Sequence, residues 1–239
     1  MPVAVITGGS RGLGRALAAE FVRRGFHTVI DGRDDVALSA TADELRHGAT
    51  AEIVAVPGDI SDPVHQRRLV EVATELGGID VLVNNASMLG PSPQPTLAEY
   101  PLDTLRQVYE TNVIAPIALT QRSLDLLRAA GGTVINVTSD AAVEPYEGWG
   151  GYGSSKAALD QSTRILGAEE PSVHVYAVDP GDMRTQMHQE AFPNEDISDR
   201  PLPEASVPGF FRLLDTLPPS GHYRVSELAP VETSSEAGA

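Results

Sequence analysis

Tyr152 and Lys156 are the residues of this sequence whose types and spacing most directly suggest chemistry, within Gly150-Gly151-Tyr152-Gly153-Ser154-Ser155-Lys156-Ala157-Ala158-Leu159. Lys156 is the only lysine among 17 Lys and Arg residues. Lysine offers a compact ammonium on a flexible stem and arginine a wide planar fork. A chain that elsewhere uses arginine keeps lysine where the fork does not serve. Four residues apart on a helix, the two side chains share one face. An ammonium beside a phenol favours the phenolate, so Tyr152 is expected to fall from the usual tyrosine pKa of about 10 towards working pH. A tyrosine tuned in this way is a general acid or base. The same spacing also arises on solvated helices with no chemical role, so the pair needs support from the rest of the chain.

A second cluster is Thr7-Gly8-Gly9-Ser10-Arg11-Gly12-Leu13-Gly14, which follows the β-branched run Val3–Ile6. After it, Leu13, Leu17 and Phe21 recur at helical spacing. Glycines between a buried strand and a helix N-terminus let backbone N–H groups approach a pyrophosphate. The spacing is G-x-x-x-G-x-G, not the G-x-G-x-x-G of many dinucleotide folds. The next strand, His27–Ile30, ends in Asp31-Gly32-Arg33-Asp34. An acidic residue there suits a ribose 2′-OH and an arginine suits a 2′-phosphate. Both are present, and Arg11 can add a second positive charge. The reading favours NADP(H) through Arg33 and leaves NAD(H) through Asp31 as the alternative.

Chemistry of this kind needs a scaffold, and the chain supplies an alternation of strands and helices. Helix Asp34–His47 precedes strand Ala51–Val56. Asp62-Pro63 caps a helix to about Leu76, and Ile79–Val83 is a fourth strand ending in Asn84-Asn85-Ala86-Ser87. Gly90–Pro95 reads as a loop and Leu102–Leu127 as a long helix kinked at Pro116. Thr133–Thr138 reads as a fifth strand with Ser139 at its end, while His222–Val225 is a weak last strand. Nearly all-apolar strands alternating with helices predict α/β architecture. The sheet is expected to be parallel and covered on both faces, and the expected fold is a Rossmann-like doubly wound three-layer α/β/α sandwich on a mostly parallel sheet of about seven strands. One domain over residues 1–229 and a disordered tail over 230–239 are expected.

Composition narrows the function classes. With 239 residues, 41% hydrophobic and 21% charged, the chain can build one large core. Zero cysteines exclude disulfides and thiol catalysis and fit a reducing, cytoplasmic setting. No charged leader precedes Pro2–Ile6 and no stretch approaches a membrane span, so neither a signal peptide nor a membrane partner is expected. A net charge of −16 argues against nucleic acid.

Taken together, these motifs resemble the short-chain dehydrogenase/reductase family in its common form of about 250 residues, from Val3 to about Val225. The family's T-G-x-x-x-G-x-G is matched by the Thr7–Gly14 loop and its adenine-contacting Asp by Asp59 with Ile60. Its N-N-A-G is matched by Asn84-Asn85-Ala86-Ser87, with Ser in place of Gly. Its helix Asn is matched by Asn112, its catalytic Ser by Ser139, its Y-x-x-x-K by Tyr152 and Lys156, and its P-G by Pro180-Gly181. The resemblance implies Asn112, Ser139, Tyr152 and Lys156 as the catalytic set. It implies cofactor contacts from Gly8, Ser10, Arg11, Gly12, Leu13, Gly14, Arg33, Asp59, Ile60, Asn85, Ala86, Ser87, Tyr152, Lys156, Pro180, Gly181, Met183 and Thr185. Thr185 stands where the nicotinamide carboxamide is usually met. By the family's register the NAD-selecting acid falls at Gly32, which supports NADP and places Asp31 one position early.

The implied reaction is hydride transfer between NADPH and a carbonyl, that of a ketone reductase; an NAD-linked alcohol dehydrogenase and a non-catalytic dinucleotide-binding sensor on the same fold are the alternatives. Tyr152 gives the proton, Lys156 holds ribose hydroxyls, Ser139 orients the substrate oxygen and Asn112 holds a proton-passing water. The implied partners are a small-molecule carbonyl or alcohol and copies of the chain in a homodimer or homotetramer. Residues 182–207 form the implied substrate lid, read here as a connection without regular structure of its own. Tyr146, Trp149 and Met88 are expected as apolar pocket wall.

Overall fold

The computed structural model describes residues 1–228; the expected tail over 230–239 lies outside them. Seven strands form one sheet: β1 Val3–Ile6, β2 His27–Gly32, β3 Ile53–Pro57, β4 Val81–Asn84, β5 Thr133–Val137, β6 His174–Asp179 and β7 Gly221–Arg224. Their order is β3-β2-β1-β4-β5-β6-β7, and every pairing is parallel. The expected sheet is therefore present, and it is wholly parallel.

Strand alternation divides the core between the two faces of the sheet. Ala4 and Ile6 of β1 pack with Leu17 and Phe21 of α1 (Gly12–Arg23), Leu38 of α2 (Asp35–Arg46), and Phe210 and Phe211 of α8 (Val207–Thr216). Val3 and Val5 face the other way, towards Leu69 and Val72 of α3 (Pro63–Glu75) and Leu119 and Leu127 of α5 (Ala115–Ala130). The order runs outward in both directions from β1 and β4, so their C-terminal ends flank the crevice where such sheets bind ligands.

Three expectations change. The helix expected over Leu102–Leu127 is α4 (Leu102–Tyr109), a π turn over Glu110–Ile114, and then α5. Pro116 has no N–H to offer the carbonyl of Asn112 four residues earlier, so the regular ladder cannot continue there. The chain widens one turn before the proline, and Pro116 opens α5 as an early helical residue, where a missing donor costs little. The lid is not without regular structure, because it contains the short helix α7 (Gln186–Ala191), whose N-cap Thr185 accepts from His188 N at 3.1 Å. Finally, β7 is a full parallel partner of β6. It reads weakly in sequence because every residue of this edge strand is only half-buried. His222 Nδ1 lies 3.0 Å from Oδ1 of the buried Asp160 on α6 (Gly150–Glu169), which ties the edge down.

Among the described residues, Gly14 is the glycine packed most closely against backbone. A Cβ there would collide with the carbonyl oxygen of Gly8 and lie 2.6 Å from Asn85 Nδ2. Gly14→Ala is expected to cost about 1–3 kcal/mol in urea unfolding, because backbone rather than a flexible side chain must give way. An unchanged midpoint would contradict that packing.

Candidate active site

The glycine loop is braced from β4. Thr7 Oγ1 accepts from Asn85 N and Ala86 N, both at 2.9 Å, and Asn85 Nδ2 donates to Thr7 O at 2.9 Å and Gly8 O at 3.2 Å. Gly8 has φ +67, and a Cβ there would lie 3.0 Å from Ala86 Cα, so loop and strand end approach as only glycine allows. The first turn of α1 has no side-chain cap and no acidic residue. Its N–H groups point out of a helix whose positive end favours an anion. These features fit the pyrophosphate of a dinucleotide.

Asp31 does not face outward. It is 2% exposed. Its Oδ1 accepts from Gly8 N at 2.6 Å, and its Oδ2 lies 3.0 Å from Nε2 of the buried His65. Burial pushes the Asp31 carboxyl up in pKa, against the contacts from His65 and Gly8. Both oxygens are thus engaged in bracing the loop. Arg33 is exposed at the rim, and among the described residues it has no carboxylate within ion-pair distance. The Asp59 carboxyl is held below its usual range; burial opposes this, and the N–H and hydroxyl of Ser61 outweigh burial with help from Arg33. Arg11 is partly engaged, donating to Gln186 of α7 and lying 3.7 Å from Asp34.

Tyr152 and Lys156 lie on one face of α6, as expected. Lys156 is 2% exposed, and its Nζ donates to Val137 O at 2.8 Å and sits 5.5 Å from the Tyr152 ring centroid. The expected lowering of Tyr152 is not met. Burial raises its pKa, nearby Asp179 and Asp140 add to the rise, and the hydroxyls of Ser87 and Ser139 offset only part of it. Burial also drives Lys156 down to about 7. Desolvation penalises whichever form is charged, and in this site it outweighs the attraction inferred from spacing. Burial therefore favours the protonated phenol.

Ser139 donates to Asp140 Oδ1 at 2.9 Å, while Tyr146 holds Asp140 Oδ2 at 2.9 Å. Asn112 is fully buried on the π turn. Its Oδ1 accepts from Met88 N at 2.8 Å and Ser87 Oγ at 3.2 Å, and its Nδ2 donates to Met88 O at 2.9 Å and Ser155 Oγ at 3.0 Å. With its amide so engaged, a water at this residue would be held by the main-chain carbonyl, which Pro116 deprives of its helical donor.

One cleft of about 900 Å³ brings these pieces together. It is lined by every residue assigned above to catalysis or cofactor except Asn112 and Gly14, which stand behind its wall. Met88 and Trp149 line it as expected. Tyr146 does not; it is 47% exposed and turned onto Asp140. Leu89, Asp140, Met187 and His188 also line it. Asp140 was legible only as the neighbour of Ser139. Nothing in the sequence links His65 to Asp31, 34 residues away.

Fold and cleft define a Rossmann-type α/β protein in which the glycine loop and the buried Tyr152 share one cleft. The family model described as short chain dehydrogenase matches residues 2–196. The chain belongs to the short-chain dehydrogenase/reductase family, a family of oxidoreductases. It is similar to the short chain dehydrogenase asqE of Emericella nidulans, 38% identical over 174 residues, covering 70% of this chain and 64% of that protein. The chain thus spans a little under two thirds of that relative's length. Mouse sepiapterin reductase (Mus musculus) is 33% identical over 199 residues, covering 78% of this chain and 76% of its own. The benzil reductase, (S)-benzoin forming, of Bacillus subtilis is 33% identical over 195 residues with the same coverages. The alcohol dehydrogenase of Thermococcus sibiricus, solved with 5-hydroxy-NADP, superposes with a TM-score of 0.83 at 28% identity, covering 94% of this chain and 95% of that one. Among the described residues no helix is long and apolar enough to cross a membrane.

Proposed function

We propose that this protein is an NADP(H)-dependent carbonyl reductase in which Tyr152 protonates the developing alkoxide. The observation that carries this reading is the buried phenol of Tyr152 in the cleft, with the chain's only lysine 5.5 Å from its ring. A protonated donor suits reduction at neutral pH, whereas oxidation needs the phenolate that burial disfavours. When bound, the reduced nicotinamide supplies the hydride. The residues that would hold the cofactor are the Gly8–Gly14 loop for the pyrophosphate, Arg33 with Arg11 for a 2′-phosphate, Asp59 and Ile60 for the adenine, and Pro180, Gly181, Met183 and Thr185 for the nicotinamide side. Ser139 orients the substrate oxygen. Lys156 lies behind the phenol, where it can exchange protons with the site.

The inward turn of Asp31 weighs against its use as a ribose acceptor, and hence against an NAD-linked alcohol dehydrogenase. Relatives named for sepiapterin and benzil, together with Trp149, Leu89 and Met187 in the wall, support an aromatic or vicinal-dicarbonyl substrate. Those two compounds are the first to try. A homodimer or homotetramer is the expected assembly, to be checked by light scattering.

The deciding experiment is a fluorescence titration of NADPH and NADH with Arg33→Ala beside wild type. Wild type is expected to prefer NADPH by about tenfold or more, and the variant to lose most of that preference, as removal of one charge-assisted contact should cost at least that much. Equal binding of NADH by wild type would reverse the cofactor assignment.

A further inference from the structure

Ser139 follows β5 and is the N-cap of the short 3₁₀ turn Asp140–Ala142; it lines the cleft with Asp140 beside it. Its hydroxyl has one proton and two lone pairs to place. Asp140 Oδ1 lies 2.9 Å from Ser139 Oγ, and a carboxylate oxygen only accepts, so the proton of that bond is the serine's. Ala141 N donates to the same Oγ at 3.2 Å and takes up one lone pair. What the hydroxyl has left for a ligand is a lone pair and no proton.

Asp140 is fixed in the position that imposes this. Its Oδ1 also accepts from Ala141 N at 2.8 Å, and its Oδ2 accepts from Tyr146 OH at 2.9 Å. Turning the carboxylate away from Ser139 breaks bonds at both of its oxygens.

A substrate can offer Ser139 two kinds of oxygen, and the site treats them unequally. A ketone oxygen only accepts. To receive the Ser139 proton it must replace a bond to a carboxylate, which is roughly twice as strong as one to a neutral oxygen. A substrate hydroxyl can donate. It adds to the free lone pair and leaves the bond to Asp140 intact, and each bond in such a chain polarises the next.

We infer that Asp140 is a positioning residue that makes Ser139 an acceptor, and so selects ketones with a hydroxyl on the carbon next to the carbonyl. The substrate oxygen that Ser139 orients is that hydroxyl, and the carbonyl oxygen is left to Tyr152. Reduction of such a ketone by NADPH gives a vicinal diol. Tyr152 protonates the new alkoxide, and Ser139 keeps its own proton throughout. The inference rests on the reductase reading and narrows it. An aromatic α-hydroxyketone is favoured over a vicinal dicarbonyl, whose two oxygens only accept.

The test compares two ketones of nearly equal size, α-hydroxyacetophenone and propiophenone, in which a methyl group stands in place of the hydroxyl. Their kcat/KM values with NADPH are measured in wild type, Asp140→Ala and Asp140→Asn. The two ketones differ in intrinsic reactivity, but that difference is common to all three proteins, so the ratio is compared between proteins. Wild type is expected to favour α-hydroxyacetophenone. Asp140→Ala is expected to lower the ratio about tenfold, the effect of one hydrogen bond that ends on a charged group. Asp140→Asn, which keeps a weaker acceptor for Ser139, should lie between the two. Propiophenone turnover should rise in Asp140→Ala, because the released Ser139 proton can then reach a carbonyl; a merely structural role would lower both ketones alike. The same ratio in wild type and Asp140→Ala overturns the inference and leaves the reductase reading standing. Reduction of neither ketone by any of the three proteins counts against the reductase reading and overturns the inference with it.

Discussion

Tyr152→Phe is expected to lower kcat for ketone reduction by about 10²–10⁴-fold, the range that a positioned proton donor supplies, with NADPH affinity within about twofold of wild type. The reason lies in the burial of the phenol. Tyr152 is 8% exposed and closed in by Leu89, Ala141 and Trp149. Phenylalanine keeps the ring and its packing on Trp149, 5.7 Å between centroids, and removes only the hydroxyl. Steady-state kinetics with benzil, sepiapterin or another ketone found by screening, beside a fluorescence titration of NADPH, separates the two quantities. Near-wild-type turnover would remove Tyr152 from the mechanism, and a parallel loss of binding would show that the ring had shifted.

Lys156→Met should have two effects of opposite sign. Turnover is expected to fall by about 10²-fold or more, because the site loses the amine that stands 5.5 Å from the Tyr152 ring and can exchange protons with the site. The second effect is on stability and follows from linkage. Burial holds Lys156 at about 7 against an ordinary 10.5. Between those values the unfolded chain binds a proton that the folded chain has released, so wild-type stability rises with pH across that window and is lowest, from this group, below pH 7. The gap corresponds to an upper limit on the order of 5 kcal/mol. Methionine loses the bond to Val137 O and leaves that carbonyl unpaired, a cost of roughly 1–3 kcal/mol at every pH. The slope is therefore the clean measure. Urea unfolding from pH 6 to 9.5 is expected to show rising stability in wild type and a nearly flat line in Lys156→Met. Tyr152, raised by burial, acts in the opposite direction and only above its ordinary value of 10. Parallel slopes would mean that Lys156 keeps its proton in the folded protein.

These two residues also show where sequence and tertiary structure divide the work. The sequence alone determined that Tyr152 and Lys156 share a helix face and that Thr7–Gly14 lies between a strand and a helix. It also determined that apolar strands alternate with helices in a parallel sheet. All of these are local or periodic features, and a period or a glycine spacing survives whatever the rest of the chain does. The break at Asn112 was also local, since Pro116 lies four residues on and cannot donate, although its form as a π turn was not legible. Tertiary structure alone decided the rest. It placed Asp31 against Gly8 and His65, because a contact across 34 residues has no signature in spacing. It made the half-exposed β7 a strand by pairing it with β6. It also reversed the expected shift of the phenol. Spacing shows which charges are neighbours. How far water is excluded from them depends on everything packed around the site, and desolvation is the larger effect here.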